Sequence, residues 1–490
     1  MNAVARPAGR GPVVSVGLVA GSIAIVGASV VLRKATLGTQ VAALLLVFAA
    51  IAYRPYVRWR TVLASVIVVI LFIPIRRYTI PVKLPFQLEP YRIMVALVLL
   101  GWLAALMLDP RVRGRKTGFE RPIIVIAAAA FCSDVLNASF ALSLESTVLK
   151  ALTFLASFFF VLYLLVSVVK TQRDVDFVVK LLVLGGSLIG LLAIIEARTA
   201  YNVFDHLTRV LPFLTIHEAA PEIARGGRIR AMGPAEHPIA LSAALALLIP
   251  LALYLAHTSR RRWWWVTPIL LLLGTMATHS RTGMVMLMMI ALVYVWLRPQ
   301  QTRRMWPLTP LLLVTVHFAM PGTLGTLKDS FFPKGGLVAQ QSTSAGSCSS
   351  GGRLTDLAPS FKEASQKPLL GEGYGTRIVE GPGTNACILD DQWLGTLLED
   401  GAVAVIGWMW LFCSVVRRLG RAAKEDRSPR GWLLVGLAAS MSGFAFGMVT
   451  YDAFSFVQVT FIMFILLGLS AVLLHQHERR RRPTLLYGDG

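Results

Sequence analysis

Three groups of residues have the types and spacing to do chemistry. Arg225, Arg228 and Arg230 precede Glu236-His237-Pro238 at the mouth of an apolar stretch. His279-Ser280-Arg281-Thr282-Gly283 makes a tight turn between two apolar stretches. A long polar stretch carries Arg353, then Gly371-Glu372-Gly373-Tyr374-Gly375, then Asp390-Asp391-Gln392-Trp393. Arg230 and Arg281 suit a diphosphate clamp, because a guanidinium fork holds phosphate oxygens at two points and keeps its proton at working pH. Two interfacial arginines resting on headgroups is the competing account, and from spacing alone it is the heavier one. Asp390 and Asp391, with Glu399 and Asp400 one or two turns on, suit a general base acting on a hydroxyl. Burial or a like-charged neighbour would raise such a carboxyl's pKa to a useful value. Taken alone, helix capping by these aspartates is the plainer account.

Other chemistries find no residues. There is no HExxH and no paired His spacing for zinc. No Walker loop is present, and no GxGxxG follows a strand, so neither a metal nor a nucleotide cofactor is expected. His237-Pro238 reads as the start of a helix, since Pro suits a first turn.

The elements that must position these groups follow from composition. Of 490 residues, 55% are hydrophobic and only 15% charged, and the mean hydropathy is +0.64. A soluble chain of this size keeps roughly a quarter of its residues charged. A soluble enzyme, a disordered chain and a disulfide-rich secreted domain are excluded. The chain reads as an all-α polytopic membrane protein with about 12–14 spanning helices, each of about 20 apolar residues. The candidate spans are 13–32, 38–53, 61–75, 93–108, 122–142, 147–169, 177–196, 237–256, 263–279, 282–297, 307–320, 394–416, 431–450 and 454–474. The first is too long for the apolar core of a secretory signal and reads as uncleaved.

The net charge of +22 sets orientation. With both termini in the cytoplasm, the inner links hold Arg54/Arg58/Arg60, Arg111 to Arg121, Lys170/Arg173, Arg260–Arg262, Arg298/Arg303/Arg304, Arg417 to Arg430 and Arg479–Arg482, and all are basic. The long loops 197–236 and 321–393 then lie outside. Trp263–Trp265, beside Arg260–Arg262, reads as an interface anchor on the inner side. The divisions are N-terminal helices (1–225), helices with two arginine motifs (226–320), the large extracytoplasmic loop (321–393), C-terminal helices (394–474) and a basic cytoplasmic tail (475–490).

Loops as long as 321–393 are uncommon in compact domains and are often functional. Segment 354–366 suits a short amphipathic helix. Cys348 and Cys387 lie in this loop, and an oxidising outer face permits a bridge between them. Closing that loop would stabilise it by roughly 4 kcal/mol through chain entropy. Two free thiols are the alternative.

Taken in order, these residues resemble the bacterial O-antigen ligase and O-antigen polymerase superfamily. Arg230-Ala231-Met232-Gly233, then His237-Pro238-Ile239-Ala240-Leu241, resembles its R-x-x-G … hPn-x-l pattern at the start of a span. Thr278-His279-Ser280-Arg281-Thr282-Gly283 resembles its T-x-S-R-x-g turn. Arg353, then Pro368-Leu369-Leu370-Gly371-Glu372-Gly373-Tyr374-Gly375, resembles R … P-l-l-G-x-G-x-G. Asp390-Asp391-Gln392-Trp393-Leu394, then Leu398-Glu399-Asp400-Gly401, resembles H/D-N-x-y-L … l-x-E-x-G. The likeness covers residues 225–405; before that it is mainly a run of spans.

The resemblance implies a GT-C-like glycosyltransferase of the bacterial plasma membrane. It would move a glycan from a polyisoprenyl diphosphate carrier to a lipid or glycan acceptor hydroxyl at the outer face, inverting C1, without metal or nucleotide. Arg230 and Arg281, with Arg353 as a third, would hold the diphosphate. Many ligases of the family carry a histidine where this chain has Asp390-Asp391, so Asp390, Asp391 or His279 would activate the acceptor. The family's usual span count is nearer twelve. A glycan polymerase is the alternative within the superfamily. A flippase or transporter is the alternative from another class, but transporters place ionisable groups near the midplane, whereas here polar residues gather at the outer mouths.

Overall fold

The computed structural model describes residues 59–80, 89–108, 114–305 and 353–486, apart from 213, 218–223, 226–227, 379–383 and 387–388. The spans expected at 13–32, 38–53 and 307–320, and the cysteines Cys348 and Cys387, lie outside the described residues. The rest is helical: α1 (Trp59–Phe72), α2 (Pro90–Leu108), α3 (Glu120–Leu136), α4 (Ala138–Ser143), α5 (Glu145–Val168), α6 (Gln172–Thr199), α7 (Pro238–Thr258), α8 (Val266–Ala277), α9 (Arg281–Leu297), α10 (Pro299–Met305), α11 (Arg353–Ala364), α12 (Gln392–Glu425), α13 (Pro429–Gly447) and α14 (Val457–Leu486). Two short antiparallel ribbons pair β1 (Tyr78–Thr79) with β2 (Thr215–Ile216), and β3 (Ala224–Arg225) with β4 (Arg228–Ile229).

Among the described residues, α5, α6, α7, α12 and α14 are long and apolar enough to cross a bilayer, and α1, α2 and α9 are shorter apolar helices. The chain is an all-α polytopic membrane protein. Helices apolar on every side belong inside a bundle. α14 obeys this: its apolar window is entirely buried, and that of α7 is 89% buried. Around α14 the rings of Phe158, Phe461 and Phe464 pack at centroid distances of 4.7 and 5.5 Å from Phe158. Small residues let backbones touch where α6 meets α8. A Cβ on Gly190 would lie 2.7 Å from the Leu270 carbonyl oxygen, and one on Gly274 2.6 Å from Gly190 Cα.

Several expected boundaries shift for local reasons. The stretch 122–142 is interrupted at Asn137, between α3 and α4. The stretch 263–279 opens with a 3₁₀ turn, Arg262–Trp265, where the rings of Trp263 and Trp264 stack 4.2 Å apart, and α8 is correspondingly short. The stretch 394–416 becomes α12, reaching Glu425 with a break at Gly401. The amphipathic helix expected at 354–366 forms as α11.

The connections sort to two ends. At one, Arg60 pairs with Asp174 (3.1 Å), Arg418 with Glu478 (3.0 Å) and His477 with Glu425 (2.9 Å). There Arg298 also donates to the carbonyls of Ala423 and Asp426. These are links that the sequence analysis expects on the cytoplasmic side. The links assigned to the exterior meet at the opposite end, around the candidate site.

Candidate active site

The glycine motif of the large loop docks on a broken helix. At Gly401 (φ 72°, ψ −173°) α12 leaves helical geometry, a backbone region open essentially to glycine alone. The break frees backbone groups on both sides, which must find partners at this depth. The amides of Glu372 and Gly373 donate to the carbonyls of Leu398 (2.9 Å) and Glu399 (3.0 Å). The amides of Ala402 and Val403 donate to Pro368 (2.9 Å) and Leu369 (3.2 Å). α3 braces the same joint: Ser133 Oγ donates to the Glu399 carbonyl (2.6 Å) and Asn137 Nδ2 to that of Gly371 (3.1 Å). The Glu399 carboxylate then receives the amides of Gly375 and Arg377. Two motifs far apart in sequence thus make one unit.

The start of α12 is clamped as tightly. Gln392 N donates to the Met448 carbonyl (2.8 Å), Gln392 Oε1 accepts from Phe454 N (2.6 Å), and Trp393 Nε1 donates to the Ala445 carbonyl (3.1 Å). Asp391 Oδ1 accepts from Leu394 N at 3.1 Å, so Asp391 caps α12.

These elements enclose a cavity of about 250 Å³ at the end of the bundle. Its polar wall holds Arg76, Lys150, Tyr374, Arg377, Asp391, Glu399, Asp400, Asp452 and Ser455. Its floor is apolar, from Phe154, Leu155, Phe158, Trp408 and Phe464. Arg377 pairs with Glu363 of α11 at 2.6 Å, which ties the amphipathic helix to the wall. Arg76 donates to the Ser455 carbonyl (3.4 Å) and lies 3.7 Å from Glu236.

The expected residues divide. Asp391 lines the cavity; Asp390, His279, Arg230 and Arg281 are not among its lining residues. Arg230 is buried and its Nε donates to the Thr278 carbonyl at 3.0 Å, so it holds the α8–α9 turn. His279 is buried in that turn with a left-handed backbone (φ 47°). Arg281 opens α9. Its neighbour Thr282 lies 3.1 Å from the Thr450 hydroxyl, two residues before the cavity's Asp452. Arg353 opens α11, but its side chain lies outside the described residues. His237 caps α7 through Nδ1, which accepts from Ile239 N at 3.2 Å.

The cavity also uses residues that the sequence reading passed over. Lys150 is the one charge inside the stretch 147–169, and an ionisable residue within a span is a functional signal in itself. Arg377 stands two places beyond the glycine motif, and Asp452 is the only acid in the link between the last two spans. Arg76 carried no comparable signal.

Glu236 adds a pH-sensitive group behind Arg76. Its side chain is 10% exposed and neither carboxylate oxygen accepts a hydrogen bond. Burial, helped by the negative charge of Glu89, outweighs the pull of Arg76 and pushes its pKa up to about 7. An unfolded glutamate titrates near 4.3. Its stabilising contribution is therefore complete below about pH 4 and is lost as pH rises through about 7. The detergent-solubilised chain is expected to melt at lower temperature at pH 8 than at pH 5, and Glu236→Gln to flatten that slope. An unchanged slope in the variant would assign the effect to another group.

Residues 266–409 match the family model described as O-antigen ligase. That stretch is similar to the O-antigen ligase family. No curated protein matches the chain. The matched stretch spans α8 to the middle of α12, and so holds the Arg281 turn, the glycine motif, Asp391 and the break at Gly401. Arg76, Lys150 and Asp452 reach the cavity from segments flanking that stretch. The match indicates a glycan-transferring enzyme of the ligase or polymerase type, and the apolar helices set it in a membrane.

Proposed function

We propose that the chain is an outer-face ligase that moves a glycan from a polyisoprenyl diphosphate carrier to an acceptor hydroxyl. The observation that carries this reading is the cavity, whose polar wall brings Arg76, Lys150 and Arg377 together with Asp391, Glu399 and Asp452 at one end of a membrane bundle, partly within the stretch that matches the O-antigen ligase model. The acceptor oxygen attacks C1 of the donor sugar from the face opposite the carrier. The C1–O bond to phosphorus breaks, its electron pair leaves on the diphosphate, and the acceptor proton passes to Asp391, so C1 inverts. Asp390 stands beside Asp391 as a second acid. Negative charge grows on the leaving group, and fixed cations lower the barrier by meeting it there. Arg76, Lys150 and Arg377 supply such charge within the cavity, and Arg281 supplies it from the head of α9. Arg230 acts through the Thr278 carbonyl, keeping the Arg281 turn in place. The described part of the loop, from Arg353 at the head of α11 onward, brings Tyr374, Gly375 and Arg377 to the cavity, and its packing there would help exclude water. No step uses a metal. The basic charge of the links supports an exterior position for the cavity end.

The test is reconstitution of the chain with a synthetic polyisoprenyl-diphosphate glycan and candidate acceptors, reading released carrier diphosphate. Arg281→Ala is expected to lower release on the order of a hundredfold, as loss of one electrostatic donor does, with the remaining cations in place. Insertion and melting temperature should be unchanged. Wild-type release from the variant would remove Arg281 from the clamp. Carrier-linked glycan acting as the sole acceptor would make the chain a polymerase instead.

A further inference from the structure

We propose that a basic pocket at the end of the bundle opposite the cavity holds the phosphate-bearing headgroup of an anionic membrane lipid. The pocket encloses about 190 Å³ between the last turn of α5, the segment before α3 and the polar end of α14. At roughly 30 Å³ per water, that is room for a phosphate group. Arg115, Lys116, Lys170 and Arg479 line it, together with His475 and Gln476, and among the described residues no carboxylate does. The floor is Val166 and Val472, which are 1% and 4% exposed. A ring of cations above two apolar side chains, at the point where two spanning helices leave the bilayer, matches a lipid phosphate at headgroup depth with its glycerol and chains below. Basic pockets between spanning helices are a recurring form of anionic headgroup site.

The described acids nearby are held by other partners. Asp174 accepts the Thr171 amide and pairs with Arg60. Glu120 receives the amides of Thr117 and Gly118. Glu478 pairs with Arg418. The frame is built rather than incidental: Gln476 Nε2 donates to the Lys170 carbonyl at 3.2 Å, fastening α14 to the end of α5, and the Arg115 amide donates to Ser167 Oγ at 3.5 Å. Lys116, Lys170 and Arg479 are exposed, so their charge faces outward from this frame. The inference requires only that the bundle crosses a bilayer, and it is independent of the transfer reaction.

The experiment uses the full chain in nanodiscs of phosphatidylcholine doped with phosphatidylglycerol, with retained lipid read by native mass spectrometry after detergent release. The wild type is expected to keep phosphatidylglycerol in preference to phosphatidylcholine. Lys116→Glu with Arg479→Glu is expected to weaken that retention on the order of thirtyfold, from two surface cations that each attract an anionic headgroup. Lys116→Arg with Arg479→Lys should preserve it. Arg260→Glu with Arg261→Glu changes the charge equally at the same end but outside the pocket, and should leave retention as it was. Equal loss from that control would mean diffuse attraction and would overturn the site. Unchanged retention in the pocket variant would overturn it too. Inorganic phosphate that displaces the lipid at a matching concentration would make this a free-phosphate site and sink the lipid assignment. Melting temperature of each variant guards against loss of fold. Failure here leaves the transfer reading untouched, since release of carrier diphosphate is measured separately.

Discussion

Gly401→Ala is expected to abolish glycan transfer and to lower the stability of the chain by at least about 3 kcal/mol, the upper range for a residue forced into backbone reserved for glycine. Two costs act together. Gly401 sits at φ 72° and ψ −173°, where a Cβ is strained whatever the space around it. A Cβ there would also overlap the Leu369 carbonyl and the Leu370 amide nitrogen. Neither neighbour can yield without breaking the bonds from Ala402 and Val403 to Pro368 and Leu369. Gly371 stands on the other side of the same joint, at φ 64°, and its Cβ would overlap the Glu399 carbonyl. Gly371→Ala should therefore reproduce the defect, and the double variant should cost less than the sum, because both break one unit. Gly420→Ala is the control: it lies in the regular part of α12, where a Cβ finds only Leu297 at 3.5 Å. That change should be neutral or slightly stabilising, since alanine is the better helix former. The checks are a melting curve in detergent and released carrier diphosphate in proteoliposomes. A Gly401→Ala variant that melts and turns over like the wild type would mean the broken helix plays no part in the site.

That joint marks where sequence reading stopped short. Apolar runs declared the spanning helices, because a bilayer admits little else. Of the four ordered motifs, the glycine motif and the Asp390–Gly401 stretch supply lining residues of the cavity, and the two arginine motifs do not. What a linear reading could not supply was their partners. Leu398-Glu399-Asp400-Gly401 looks like the continuation of an apolar helix until Pro368–Gly373 is laid against it, and only that docking explains why both stretches need glycine. Arg230 looked like a ligand for phosphate, yet its Nε is engaged by the Thr278 carbonyl, a contact between residues 48 apart. Arg76 reaches the cavity from a link that no motif marks. Lys150 was legible by its own rarity inside a span.

Asp391 presents the sharpest division between structure and chemistry, because it does two things at once. Its Oδ1 caps α12 by accepting from Leu394 N, and its side chain also lines the cavity. Asparagine caps a helix about as well as aspartate, so Asp391→Asn keeps the cap and removes the charge. If Asp391 takes the acceptor proton, this change should lower transfer on the order of a thousandfold, within the range for loss of a general base, while the melting curve stays in place. Asp391→Ala removes the cap as well, and should fall further in stability by about 1 kcal/mol. Asp390→Asn tests the neighbour separately, and a smaller loss is expected there, since Asp390 is not among the residues lining the cavity. Full transfer by Asp391→Asn would leave capping as the whole role of Asp391, and the search for the base would move along the same wall to Glu399 and Asp452. Full transfer by both single variants would remove the pair from the chemistry. The comparison is decisive because the capping role and the proton-accepting role ask different things of the same side chain: one needs only a hydrogen-bond acceptor, the other needs a negative charge that asparagine cannot carry.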